Sequence, residues 1–103
     1  LDAGDVRAAN DFAGRAYKVA PKDPSIADTY AWALVAAGKA QDAVPLLRTA
    51  YEALKTDEVR YHYAVALVKS GAAAQAKPHL QALTKAGPDF RHGEEVRKLL
   101  GST

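Results

Sequence analysis

Three histidines, His62, His79 and His92, are the side chains best suited to metal ligation or to proton transfer near neutral pH. Their separations of 17 and 13 residues argue against a shared helical face, because two imidazoles that bind one metal from a helix need the i, i+4 relation. They read as exposed surface histidines, with His62 also placed to touch a partner. The carboxylate pairs Asp57-Glu58 and Glu94-Glu95 fall at predicted helix starts or on charged faces, where capping and the helix dipole account for them without catalysis. Ser25 and Ser70 lack the sequence context of a nucleophile, and no Gly-rich loop follows a predicted strand. The chain has no cysteine, which excludes disulfides, thiolate metal sites and thiol nucleophiles. The reading is therefore a non-enzyme with no cofactor and no metal.

The 103 residues allow one domain with a modest core. Hydrophobic residues make up 49% and charged ones 25%, an ordinary soluble balance. Residues 1–56 carry seven basic and seven acidic side chains and residues 57–103 carry seven and five, giving the formal +2. That excess is too small and too dispersed for a phosphate-binding stripe, so nucleic acid is not an expected partner. No apolar run approaches the ~20 residues that span a bilayer, so direct membrane insertion by this segment is not expected.

The elements that must position any surface recur. Gly4, Gly38 and Gly71 are spaced 34 and then 33 apart. Ala9, Ala43 and Ala76 keep the same register, as do Ala16, Ala50 and Leu83, and Pro21, Lys55 and Pro88. A period in this range marks stacked units that bury their apolar faces against one another. Alanine is abundant and β-branched residues are scattered, which favours helix. Punctuation by Gly, Pro and Asp predicts helices at about 5–19, 25–37, 41–54, 58–70, 74–86 and 90–100, with Asp5, then Asp23 or Ser25, then Thr56-Asp57 as caps. The stripe Ile26, Tyr30, Ala33, Leu34 and Ala37 has helical spacing, as has Ala43, Leu47, Ala50, Tyr51 and Leu54. Pro45 and Pro78 occupy equivalent positions one turn into a helix, where the loss of only the first intrahelical hydrogen bond is expected. Gly93 is expected to weaken the last helix from inside.

These columns resemble the tetratricopeptide repeat. One unit reads Ala27-x-x-Tyr30-Ala31-x-x-Leu34, Gly38, Ala43-x-x-x-Leu47, Ala50; the next reads Arg60-x-x-Tyr63-Ala64-x-x-Leu67, Gly71, Ala76-x-x-x-Leu80, Leu83, Pro88. The family's early tryptophan is replaced by Ala27 and Arg60, its glycine by Ala31 and Ala64, and its late proline by Lys55 in one unit. The resemblance implies an all-α, right-handed superhelix of antiparallel helix pairs. Residues 5–19 would be the second helix of a partial repeat, 24–56 and 57–88 complete repeats, and 89–101 a capping helix. All would lie in one domain, read as a piece of a longer array because the chain opens at Leu1 inside a repeat. Residues 20–34 and 61–67 are further similar to long bacterial tetratricopeptide proteins, often lipoproteins, of exopolysaccharide export and exosortase-type protein sorting. That likeness implies the periplasm or cell envelope; the cytoplasm is the alternative.

In this family the first helix of each pair lines the inner groove. The groove positions map to Ser25, Asp28, Trp32, Val35 and Ala36, then Glu58, Tyr61, Val65, Val68 and Lys69. Trp32 lies off the Tyr30/Leu34 stripe and reads either as a partner contact or as packing on Tyr61 or Val65 of the adjacent helix. Lys69 is the one obvious cation there, which disfavours a clamp for a C-terminal carboxylate; Asp28, Trp32, Glu58 and Tyr61 suit an apolar or basic segment. The function read from this is protein or peptide binding by a groove, with a structural spacer or self-association module as the alternative.

Overall fold

The computed structural model describes residues 14–19, 22–86 and 90–101, in which the regular secondary structure is helical. The helices are α1 (14–19), α2 (Pro24–Ala36), α3 (Ala40–Leu54), α4 (Asp57–Lys69), α5 (Ala73–Leu83) and α6 (Gly93–Gly101). The expected start of the first helix at Asp5, and the columns at Gly4, Ala9, Pro21 and Pro88, lie outside the described residues. Successive helices pack on one another as antiparallel pairs, α2 with α3 and α4 with α5, while α3 packs on α4 and α2 also touches α4. Tyr17 of α1 stacks on Tyr30 of α2, with ring centroids 5.1 Å apart.

The repeat columns become matched burial. Ala31 and Ala64 are fully covered, as are Ala43 and Ala76, Leu47 and Leu80, and Ala50 and Leu83. Small side chains at the crossings let helix axes approach toward the lower end of the ~8–10 Å range, and the leucines fill the holes beside them. At the column where the family carries tryptophan, Ala27 is buried in one unit. In the other, the Arg60 guanidinium lies 4.9 Å from the centroid of the Tyr51 ring, a cation–π contact in place of the indole.

Helix ends follow local chemistry. The Asp23 carboxylate accepts from the amides of Ser25 and Ile26 at 2.9 and 3.2 Å, so Asp23 caps α2 and Ser25 does not. The Thr56 hydroxyl accepts from the Val59 amide at 3.2 Å. Gly38 and Gly71 take φ of +83° and +90°, and the next amides, of Lys39 and Ala72, return to the carbonyls of Leu34 and Leu67, each at 2.8 Å. The same left-handed stop is thus built twice.

Two boundaries and the hydrogen bonding at the prolines differ from expectation. Helix α5 ends at Leu83, because Lys85 and Ala86 return to carbonyls three residues back and the Thr84 hydroxyl donates to the Gln81 carbonyl at 2.6 Å. Residues 90–92 are a turn closed by the Gly93 amide on the Phe90 carbonyl, so Gly93 starts α6 and does not interrupt it. The prolines sit deeper than one lost first bond implies: the first i→i−4 bonds, Ala43 to Lys39 and Ala76 to Ala72, are intact. The carbonyls that lose a donor are those of Gln41 and Ala74, on exposed residues that water can reach.

Lys55 explains one departure from the repeat pattern. It holds φ +52° and donates its amide to the Tyr51 carbonyl at 2.7 Å. Proline, the family's residue in this column, can do neither, since its ring fixes φ near −65° and it has no N–H. Lys55→Pro is expected to destabilise the chain by about 3 kcal/mol or more. Lys55→Gly, which accepts that φ without a Cβ, should leave the urea midpoint unchanged or raised. Equal midpoints for the proline variant and the parent contradict this account.

Candidate functional site

The first helices α2 and α4 and the turn before α6 bring one continuous run of rings and charges together. The imidazole Nδ1 of His62 lies 2.8 Å from Oδ1 of Asp28. An ionised carboxylate only accepts, so Nδ1 carries the proton and donates. The Trp32 indole stacks on the same imidazole, with centroids 4.1 Å apart and planes 20° from parallel. Trp32 also meets the Tyr61 ring at 6.0 Å, tilted by 54°. Tyr61 in turn stacks flat on His92, with centroids 4.1 Å apart and an interplanar angle of 3°. Phe90 closes the run edge-on against Tyr61 at 6.4 Å. His92 Nε2 lies 2.8 Å from Oε2 of Glu58, and the Arg91 guanidinium also pairs with Glu58.

A second register thus appears along this face. Asp28 to His62 and Glu58 to His92 are both 34 residues apart, and each pair ties one first-helix element to the next. An aromatic ring lies on each imidazole: Trp32 on His62, Tyr61 on His92. Burial favours protonation of Glu58, but hydrogen bonds from His92 and Arg91 outweigh it and hold its carboxyl below the ordinary value. Burial pushes the Tyr61 hydroxyl up, and the charges of Glu95 and Glu58 add to that.

The predicted groove residues divide into three groups. Asp28, Trp32, Glu58 and Tyr61 converge on this run, although Asp28 and Glu58 spend their charge on imidazoles of the same chain. The acidic character expected to favour a basic segment is thereby largely neutralised from within. Val35 and Val65 are only 4% and 5% exposed and belong to the core beneath the face. Ser25 is exposed at the start of α2. Lys69 is exposed at the far end of α4, about 16 Å along the helix from Glu58. There, with Ser70, it borders a hollow of about 360 Å³ lined by Gly38, Lys39 and the start of α3. Ala36 is exposed and Val68 half-buried.

The histidines overturn the expectation of surface residues. His62 is 8% exposed. His79 sits with Tyr51 and Tyr63 edge-on at 5.8 and 5.0 Å, and its Nδ1 is buried without a hydrogen-bond partner among the described residues. His92 is shielded by Tyr61 and Glu58. His92 thus contacts α4 through Glu58, and the Arg91 side chain, 74% exposed, reaches the same carboxylate from the solvent side. The i, i+34 spacing of carboxylate and imidazole was present in the sequence and could have signalled these pairs, because one repeat period places the two on adjacent first helices. Among the described residues no group of three or more His, Cys, Asp or Glu could hold a metal ion, and no helix is long and apolar enough to cross a membrane.

Paired antiparallel helices, a left-handed glycine stop after α2 and after α4, and buried alanines recurring in register define a helical-repeat protein. Residues 34–102 match the tetratricopeptide repeat family, and the chain belongs to it. Its general role is therefore protein–protein interaction, and a repeat of this class is typically non-catalytic. Comparison with curated proteins and with solved structures gave no match.

Proton linkage gives a test of this packing. Burial first, and then the Arg60 charge, hold the His79 imidazole below its ordinary value. Glu58 is also held low. For both groups the unfolded chain binds protons more readily than the folded one. Their contribution is complete above the unfolded values, about 6.5 for imidazole and 4.3 for glutamate, and is lost as pH falls through the lower folded values. Urea midpoints are expected to fall on acidification in two stages, His79 first and Glu58 second. His79→Phe should remove the first stage while leaving stability near neutrality intact or higher, since it deletes a buried nitrogen without a partner. An unchanged acid profile in His79→Phe sinks this assignment.

Proposed function

We propose that the inner face of α2 and α4, centred on Trp32, is a docking surface for a protein or peptide partner. The observation that carries this reading is the position of Trp32. It is half-buried, and its underside is fixed by His62 and Tyr61. A rigid aromatic held from below and open above is the arrangement from which binding hot spots are made, because little side-chain entropy remains to be lost on contact. Ser25 and Ala36 are exposed on the same helix, while Tyr61, Val35 and Val65 form the floor. With Asp28 and Glu58 committed to imidazoles, an apolar segment suits this face better than a basic one.

Residues 24–56 and 57–88 are taken as the two complete repeats that form this surface, with 89–101 closing it. The likeness of residues 20–34 and 61–67 to bacterial envelope tetratricopeptide proteins supports a finer reading. In it the chain is part of a periplasmic scaffold in exopolysaccharide export or surface-protein sorting.

Binding is tested by capturing partners with the full-length protein and titrating the purified partner by calorimetry. Trp32→Ala is expected to weaken the complex by about 1–3 kcal/mol, roughly 5- to 150-fold in Kd. Lys77→Glu, on an exposed position of α5, should have no effect. Because Trp32→Ala also strips the His62 ring of its cover, its fold is checked by far-UV circular dichroism at the titration temperature. A folded Trp32→Ala variant with parental affinity removes the docking assignment. Concentration-dependent sedimentation with no captured partner favours self-association instead.

A further inference from the structure

On α2, Asp28 and Trp32 are four residues apart and so lie one turn from each other on the same face. Both reach His62 of α4. The carboxylate meets the edge of its ring, 2.8 Å from Nδ1, and the indole lies over the ring's face, with centroids 4.1 Å apart. We propose that Asp28 is a positioning residue: it fixes the His62 ring through that hydrogen bond, and the fixed ring holds the Trp32 indole in the orientation a partner meets. The inference rests on the docking role of Trp32 given above. It assigns Asp28 a part in that role without contact to the partner.

An imidazole swings about its Cβ–Cγ bond, a torsion with broad minima. A ring free to swing gives a stacked neighbour no fixed floor. The bond at Nδ1 removes that freedom, because it is made only when the ring edge faces Asp28. With a carboxylate as acceptor, Nδ1 carries a proton in the neutral ring and in the charged ring alike, so the arrangement does not depend on titration. The side chains of Asp28 and His62 are only 16% and 10% exposed, which leaves little of either for a partner to touch. Trp32 is half-buried and does reach the surface. Tyr61 meets the indole at 6.0 Å, tilted by 54°, and supports it on a second side.

The same three-part arrangement recurs one repeat on, and the two copies differ in where they end. Glu58 and Tyr61, three residues apart on α4, both meet His92. The carboxylate lies 2.8 Å from Nε2, and the phenol ring stacks at 4.1 Å. That ring is 7% exposed, so the second clamp ends in the core and serves packing. The first ends in an indole that solvent reaches. A directional bond that orients a surface ring lowers the entropy still to be lost when a partner covers it. Asp28 therefore acts on binding through the rigidity of Trp32, and its charge is not offered to the partner.

Trp32 is the one tryptophan of the chain, so its fluorescence reports this site alone. In the full chain, time-resolved anisotropy is expected to show an indole that turns only with the whole molecule. Asp28→Leu, which keeps the bulk and loses the acceptor, should add a fast depolarising component while the far-UV circular dichroism stays parental. Asp28→Asn, whose side-chain oxygen still accepts from Nδ1, should restore the parental decay. Nitrogen NMR of the parent should show His62 Nδ1 protonated. A parental decay in a folded Asp28→Leu overturns the proposal, and so does an Asp28→Asn indole as mobile as that of Asp28→Leu. If Asp28→Leu does not fold, the parent's nitrogen spectrum decides: an Nδ1 without a proton refutes the clamp, and a protonated one upholds it. Binding is read with the partner purified for the Trp32→Ala titration. Asp28→Leu should raise Kd roughly 2- to 12-fold, with Asp28→Asn near the parent. Parental Kd in Asp28→Leu beside a weakened Trp32→Ala removes the positioning role. Parental Kd in both variants removes the docking reading itself.

Discussion

Helix α4 cannot bury itself without both neighbours, and this dependence organises the whole molecule. Residues 61–67 are buried without interruption, so no side of the helix over those two turns is left to water. One flank is covered by α2 and α3, the other by α5 and the turn leading to α6. An amphipathic helix needs one partner; a helix covered all round needs several, and it folds only as part of their packing. The repeat thus has no stable existence as a single unit, and the cohesion of the array resides in the contacts between units.

Two kinds of contact share that work. Between α3, α4 and α5 it is apolar and close-packed, with alanine where helices cross and leucine beside it. Along the first helices it is aromatic and polar: imidazoles stacked under rings and tied to carboxylates one repeat period away. Neither is free of titratable groups: His79 sits against Tyr51 and Tyr63 in the first, and Glu58 is held low by His92 and Arg91 in the second.

The first-helix face also illustrates how charge assignments depend on neighbours. Asp28 and Glu58 look like free acidic groups at groove positions, yet both are committed to side chains 34 residues further on. Lys69 belongs to another locality, the hollow beside Gly38 and the start of α3.

Periodicity alone determined the helices, their order, the glycine stops and most of the core. Local rules suffice there, since spacing along a helix specifies which side chains share a face and Gly38 and Gly71 report their own backbone. The burial of Leu47, Leu80 and the alanine columns follows from the same register. Helix ends at Leu83 and Gly93, the left-handed Lys55, and above all the places of His62, His79 and His92 were decided only by the tertiary structure. A histidine is equally at home in water and under an aromatic ring, so its own residue type is silent. Its surroundings come from helices a full repeat away, and only their packing brings carboxylate, indole and imidazole within reach of one another.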